Sequence, residues 1–440
     1  MKTIFGFAPE TWWAASNPAQ IATLLLLAPL FLHSSTLLSI SPLYVYDSTR
    51  YATLAFSMVA SLYLALKLPR VGLTHTQVLG ASLVCGSIVL SLLANYDSSI
   101  RLEAAILIML VAVGLQYHHA LVIYGTRHVV DILGWTLVAA SLLYTVHAVA
   151  MILPHCLFDN DCLYLNTGPM GFENRRTYND IQALMIPALL WFMVQANRRP
   201  LAVFLGFLAS VQLAHLLVTS GRAAMLGILA GLAVTWFASK WPPRHYWRLL
   251  ATLSAAALIF GSLVFFDGAP SGYSTSLRTS DSGRLDLWAT AILGGVTSPL
   301  FGQGPGSFAQ AGHSVAGAHN VFLGVLHDYG VPLFLFSLAF VFLVFSRLKP
   351  GPQPLLSFFA VSLLSIWLFT SAIHPLITIT SLILLALLTS EGRDHAALKR
   401  SVPSIWLLAL VSAALALSLV DTPPMREPPF IFRPRIWLGT

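Results

Sequence analysis

Runs of about twenty apolar residues recur along the whole chain, as in "IATLLLLAPLFLHSSTLLSI" (21–40), "LLATLSAAALIFGSLVFF" (249–266) and "SIWLLALVSAALALSLV" (404–420). Each is close to the roughly 20 residues that carry a helix across about 30 Å of hydrocarbon. In lipid a helix satisfies its own backbone hydrogen bonds, whereas an open strand leaves polar groups bare. With 57% hydrophobic and only 9% charged residues, the chain lacks the polar surface of a water-soluble domain. The expected fold is an all-α integral membrane protein, a polytopic bundle of about 12–13 transmembrane helices. Residues 1–440 form a single transmembrane domain, interrupted by extracytoplasmic loops at 153–178 and 267–318, the larger one containing short helices. The stretch "APETWWAASNP" breaks up the first apolar run, so a cleavable signal is not expected and the first span belongs to the mature protein.

The basic residues orient the bundle. If Lys2 is cytoplasmic, alternate loops bring Lys67 and Arg70, Arg127, Arg198 and Arg199, Lys240, Arg244 and Arg248, Arg347 and Lys349, and Arg393, Lys399 and Arg400 to the same side. That follows the positive-inside rule. The net charge of +7 is therefore mainly an orientation signal, and no aromatic-interleaved basic stretch supports a nucleic-acid partner.

A second set of arginines falls on the far side: Arg175 and Arg176 in the first loop, Arg222 where one span turns into the next, and Arg278 and Arg284 in the long segment. Translocated arginine is costly near the membrane, so several together point to an anion held there. Pairing with Glu173, Asp180 or Asp286, or contact with lipid headgroups, is the plainer alternative for any one of them.

The first loop carries Cys156 and Cys162, close enough for a small disulfide in an oxidising compartment; with His155 and Asp159 nearby, metal ligation is the rival, although the spacing fits no strong zinc pattern. Cys85 lies alone in a span. In the long segment, Ser280, Asp281 or Ser282 can cap a short helix in which Leu285, Trp288 and Ile292 share a face, ended by Gly294 to Pro299. Such a helix would lie in the interface plane and hold Arg284 at headgroup depth. The following "FGQGPGSF" (301–308) has the glycine spacing of a tight backbone turn but lacks the Lys-Ser/Thr of a phosphate loop. The pair Asp159 and Asp161 in "DNDC" reads as a turn or a weak cation site, and no nucleotide motif accompanies it.

Three segments in order, "TSGRAAMLG" (219–227), "SGRLDLWATAI…SPLFGQGPGSF" (282–308) and "HNVFLGVLHDYG" (319–330), resemble the O-antigen ligase and O-antigen polymerase superfamily. The shared motifs cover about the middle third of the chain. The resemblance implies an enzyme of the bacterial inner membrane, with its site on the periplasmic face, that moves a glycan from undecaprenyl pyrophosphate to an acceptor glycolipid or protein. It implies essential roles for His319, Arg222 and Arg284, together with Arg175 or Arg176. The far-side charges add Arg278 to Arg175 and Arg176 as candidate substrate-binding residues, and Asn320 either orients His319 or hydrogen-bonds the sugar. Where the family shows Glu and a second glycine after the His-Asn motif, this chain has Asp328 and Pro332. "GFENRRTYNDIQALMIPALL" (171–190) is also similar to a pilin-glycosylating branch of the superfamily, which leaves the acceptor open.

The residues suit that chemistry on their own terms. A departing lipid pyrophosphate develops negative charge that planar, permanently charged arginines bind in bidentate fashion. An acceptor hydroxyl has a high pKa, and a neutral imidazole such as that of His319 is the usual base near neutral pH. The alternative is a histidine that merely caps its helix, in a chain with 14 histidines. His118, His119, His147, His215 and His374 read as packing or interhelical groups. The scheme needs no cofactor and no metal. O-antigen polymerase is the alternative within the same chemistry; a transporter or flippase of lipid-linked saccharide is the alternative of another class, and its marks, inverted repeats and helices broken at mid-membrane, are not found.

Overall fold

The computed structural model describes residues 17–35, 45–95, 101–158, 175–219, 221–239, 242–266, 283–310, 318–348, 353–369, 375–390 and 400–420. In chain order these form α1 (Pro18–Ser34), α2 (Val45–Lys67), β1 (Arg70–Leu73), α3 (His75–Ala94), α4 (Arg101–Tyr124), α5 (Arg127–Phe158), α6 (Arg175–Gln195), α7 (Arg199–Val218), α8 (Arg222–Ser239), α9 (Pro243–Phe266), α10 (Arg284–Thr297), α11 (Ser307–Gln310), α12 (Val321–Phe345), α13 (Pro354–Phe369), α14 (Pro375–Ser390), β2 (Arg400–Pro403) and α15 (Ser404–Val420). The fold is all-α and polytopic, as the apolar runs require.

Among the described residues, six stretches are long and apolar enough to cross a membrane: His75–Ala94, Ala104–Tyr124, His128–Ala150, Arg199–Val218, Pro243–Phe265 and Val321–Phe345. Shorter apolar helices such as Pro18–Ser34 and Pro354–Phe369 lie between them; at 1.5 Å per residue they reach about 24 Å or a little more. Local signals start several helices. Asn17 accepts from the Ala19 amide at 2.8 Å with Pro18 in the first turn, and Thr74 and Gln77 form a reciprocal capping box at the start of α3.

Helix α6 is the central element, packed on α5, α7, α8 and α13. Ile181, Leu184, Ile186 and Leu189 are buried on every side, so this helix has no polar face. Its interior polar groups are joined to its neighbours. Tyr178 donates to Gln212 Oε1 at 2.8 Å, Gln182 donates to the same oxygen at 2.7 Å, and Gln212 in turn donates to Thr145 at 2.8 Å. Away from water such bonds keep amides from being left unsatisfied. Where α8 crosses α13, a side chain at Gly231 would strike Phe358, so the two helices approach at glycine distance.

Side-chain ties fix which helix ends lie together. At one end, Asn17 donates to Tyr124 O, Thr235 to Pro354 O, and Arg248 to the carbonyls of Met193, Val194 and Ala196 at 2.9–3.0 Å. The antiparallel pair β1–β2, with Arg70 opposite Pro403 and Leu73 opposite Arg400, closes the same end. Lys67, Arg70, Arg127, Arg198, Arg199, Arg244, Arg248, Arg347 and Arg400 gather here, at what we call the basic end. The asymmetry read from the sequence is thus a property of the folded bundle.

Two loop boundaries differ from those read along the sequence. Helix α5 continues to Phe158 and α6 resumes at Arg175, so both margins of the 153–178 segment are helical. Cys162 and the rest of 159–174 lie outside the described residues, and so does the disulfide expected with Cys156. The 267–318 segment contains α10 and α11. Its first helix begins at Gly283, with φ 74, and not at a Ser or Asp cap; glycine takes the left-handed conformation there at no steric cost.

Candidate active site

The end of the bundle opposite the basic one is assembled from helix N-termini, and the candidate residues stand on them. Arg175 opens α6, Arg222 opens α8, Arg284 opens α10, and His319 and Asn320 precede α12. The turn from α7 into α8 is held against α6, because Thr219 donates to Asn179 Oδ1 at 2.8 Å and a side chain at Gly221 would strike Leu216 and Asn179. Arg222 and the backbone of Arg175 and Arg176 are therefore brought to one place. Helix α8 runs antiparallel to α13, with Ser365 donating to Ala223 O at 2.7 Å and Ser362 to Gly227 O at 3.2 Å. The last turn of α13 thus lies beside Arg222. On its other side that turn meets α12, where Asn320 Nδ2 donates to Leu368 O at 3.0 Å and Phe322 meets Trp367 edge-on.

Arg284 arrives by a separate route. Leu287 and Ala291 of α10 pack with Ala318 and Leu323, while Gly294 faces His327 and Gly295 faces Leu326. Residue numbers rise together on both helices, so α10 and the first part of α12 run in the same direction. Their N-termini, carrying Arg284 and His319, accordingly sit side by side. Arg222 and Arg284 are each half-buried, and the N-terminal helix dipoles add positive potential to that of the guanidinium groups.

The first part of α12 lies across the end of the bundle. Asn320 is tied to the end of α13, and eight residues on, about 12 Å of helix, Ser91 near the end of α3 donates to Asp328 O at 2.7 Å. The chain then turns at Gly330, with φ 81 and ψ −176, before the rest of α12 runs down the bundle. Helix α10 lies alongside that crossing segment. Its outward face carries Leu285 (61% exposed), Leu293 (63%) and Val296 (66%), an apolar surface facing away from the protein.

The glycine-rich turn secures this arrangement. Gln303 N donates to His327 O at 2.7 Å, Gly304 N to Asp328 O at 3.1 Å and Val331 N to Pro299 O at 2.8 Å. The Asp328 carboxylate accepts from Gly306 N at 3.1 Å and meets His327 Nδ1 at 2.9 Å. Gly302, Gly304 and Gly306 all have positive φ. At Gly302 a side chain would strike the Asp328–Tyr329 backbone, so only glycine fits. Asp328 therefore clamps the loop onto α12. Although Ser307 stands 3.4 Å from His327 Nδ1, that same nitrogen also meets Asp328, so these three do not form a nucleophile–base–orienter relay.

His319 has φ 51, and among the described residues it is the non-glycine residue with a left-handed backbone. Such a conformation costs energy and concentrates at functional positions, where the surroundings hold it in place. Its Nε2 is buried, while the residue as a whole is partly exposed. Asn320 is occupied structurally at both ends of its amide: Oδ1 accepts from Leu323 N at 3.0 Å as the helix cap, and Nδ2 holds α13. Of the two roles the sequence leaves open for Asn320, orienting His319 or hydrogen-bonding the sugar, these bonds suit the first. Arg278 lies outside the described residues.

Sequence reasoning missed two residues at this end. Arg101 opens α4 beside the end of α3, as shown by the packing of Ala104 with Ile88; as the first residue of a helix on the far side, it carried the same signal as Arg222. Trp288 was grouped with Leu285 and Ile292, but it is half-buried, with Nε1 enclosed, one turn from Arg284. Among the described residues no three His, Cys, Asp or Glu side chains converge as metal ligands.

Residues 207–338 match the family model described as O-antigen ligase. The chain shares that superfamily's signature over just under a third of its length, from within α7 to within α12. The matched stretch contains Arg222, Arg284, His319 and the glycine-rich turn, and leaves out Arg175 and Arg176. The match supports a membrane glycan ligase or polymerase type of function. No curated protein matches the chain significantly.

Proposed function

We propose that the protein is an O-antigen ligase-like glycosyltransferase of the bacterial inner membrane. It takes an oligo- or polysaccharide from undecaprenyl pyrophosphate and joins it to an acceptor hydroxyl at the periplasmic face. One observation carries the reading: Arg222 and Arg284, far apart in sequence, open helices at the same end of the bundle as His319, the end opposite the basic residues.

In this scheme the acceptor oxygen attacks the anomeric carbon of the first sugar. The bond from that carbon to the pyrophosphate oxygen breaks, and its electron pair stays on the departing pyrophosphate. Arg222 and Arg284 stabilise the charge that grows there, with Arg175, Arg176 and Arg278 as further contacts. His319 takes the proton of the attacking hydroxyl. Asn320 holds His319 through the cap of α12, and Asp328 through the clamped turn, so neither needs to touch substrate. The outward apolar face of α10 suits a site where a polyprenyl chain in lipid meets a glycan in water.

The test is transfer by purified protein in lipid, supplied with undecaprenyl-pyrophosphate-linked glycan and either a lipid A-core or a pilin acceptor, with products identified by mass. Transfer to one acceptor supports the reading and names that acceptor. Extension of the donor glycan without either acceptor would make the protein a polymerase, and movement of donor across the bilayer without a new glycosidic bond would overturn the enzyme reading.

A further inference from the structure

Trp288 stands on the stripe of α10 that faces the start of α12. Arg284, Leu287, Trp288, Ala291, Gly294 and Gly295 follow at helical spacing, and Leu287, Ala291, Gly294 and Gly295 are in contact with residues 318–327. Leu285, Leu293 and Val296 lie on the opposite, exposed side. Trp288 is thus one turn further along than Arg284 on the same face, turned towards the segment that carries His319.

Its indole nitrogen is enclosed, yet among the described residues Trp288 Nε1 meets no acceptor. Indole N–H donates only, and a buried donor without an acceptor is unfavourable by about 1–3 kcal/mol. A tryptophan that serves only as a membrane-interface anchor keeps that N–H in the wet headgroup layer instead of enclosed beside an arginine. An anionic oxygen of a ligand bound beside Arg284 would give the Trp288 N–H its acceptor.

We infer that Trp288 is a substrate-binding residue whose indole N–H donates to an oxygen of the phosphoryl group held by Arg284, the pyrophosphate end of the lipid-linked donor. The inference rests on the proposed function. It adds an uncharged donor to the arginine set: Arg284 supplies charge, while Trp288 supplies direction and a flat apolar wall.

Binding of undecaprenyl pyrophosphate, which carries the pyrophosphate and no sugar, tests it directly. The measurement uses the full chain in nanodiscs, as wild type, Trp288→Phe, and a variant with benzothienylalanine at 288, which keeps the bicyclic shape and replaces N–H by sulfur. Loss of a hydrogen bond to a charged group should weaken binding about tenfold or more in both, with the melting temperature unchanged. Weakening with phenylalanine and wild-type affinity with benzothienylalanine would make Trp288 a packing residue and overturn the inference. Wild-type affinity in both would do the same while leaving the donor assignment standing. Absence of binding by the wild-type protein would overturn the donor assignment, and the inference with it.

Discussion

The side-chain amide of Asn320 donates to the carbonyl of Leu368 at 3.0 Å and so joins the start of α12 to the last turn of α13. Because α13 also lies along α8, this bond connects the two halves of the candidate site, His319 on one side and Arg222 on the other. Asn320→Asp keeps the capping oxygen but removes the donor, whereas Asn320→Ala removes both. The alanine variant should lose about 1 kcal/mol or more of stability and the aspartate variant less. Both should transfer glycan more slowly, as read by thermal melting and initial rates side by side. A fully active, fully stable alanine variant would mean that the tie does not position His319.

His319 unites a proposed proton-accepting role with a left-handed backbone, and substitutions separate the two. His319→Gln retains size and hydrogen bonding but takes up no proton near neutral pH, so transfer should fall roughly 10²-fold or more while donor still binds. His319→Gly relaxes the backbone and should be at least as stable as wild type, yet equally inactive. Wild-type turnover by the glutamine variant would remove His319 from the chemistry.

The two ends of the bundle use arginine for different purposes. Arg248 caps three carbonyls at the end of α6, so Arg248→Ala should lower the melting temperature and leave the affinity for lipid-linked donor unchanged. Arg284→Ala and Arg222→Ala should weaken use of the donor by about 1.5–3 kcal/mol, as each loses a charge-assisted contact to pyrophosphate. Lysine at either position should restore only part of that loss, since it cannot bind in bidentate fashion. Donor affinity as strongly reduced in Arg248→Ala as in Arg284→Ala would contradict the division.

Glycines in the crossing segment should differ sharply in tolerance. Gly302→Ala combines a positive φ with a clash against the Asp328–Tyr329 backbone, and should cost upwards of about 2 kcal/mol. Gly324 lies within α12 with open space around its Cα, so alanine there should be neutral or stabilise by roughly 0.5–1 kcal/mol. Melting temperatures in one detergent would rank the two, and equal values would place the turn elsewhere than against α12.

Cysteine-accessibility labelling in intact cells bears on orientation. Positions near Arg198, Arg244 and Arg347 should label only from the cytoplasm, and positions near Arg222, Arg284 and His319 only from outside. The reverse pattern would overturn the proposed periplasmic placement of the candidate site.

The sequence by itself determined the solvent and the class of fold, and it marked which turns of the chain share an end of the bundle. Twenty-residue apolar runs leave helices as the economical way to satisfy the backbone in lipid, and the lysines and arginines mark alternate turns. Both are local or additive properties, readable without knowing which helix touches which. The motif residues Arg222, Arg284 and His319 were legible too, because charged and polar side chains stand out in so apolar a chain. What only the tertiary structure decided is how they are brought together. That rests on Asn179 against Gly221, on Asn320 bonded to Leu368, and on α10 running alongside the first part of α12. These contacts join residues up to 48 positions apart through unremarkable asparagines, glycines and alanines, whose identity says nothing of the partner they will meet. The left-handed backbone of His319, the clamp from Asp328 to Gly306 and the enclosed indole of Trp288 are of the same kind. Each depends on a second segment arriving at the right depth and angle, which is fixed by packing in three dimensions and leaves no periodic mark along the chain.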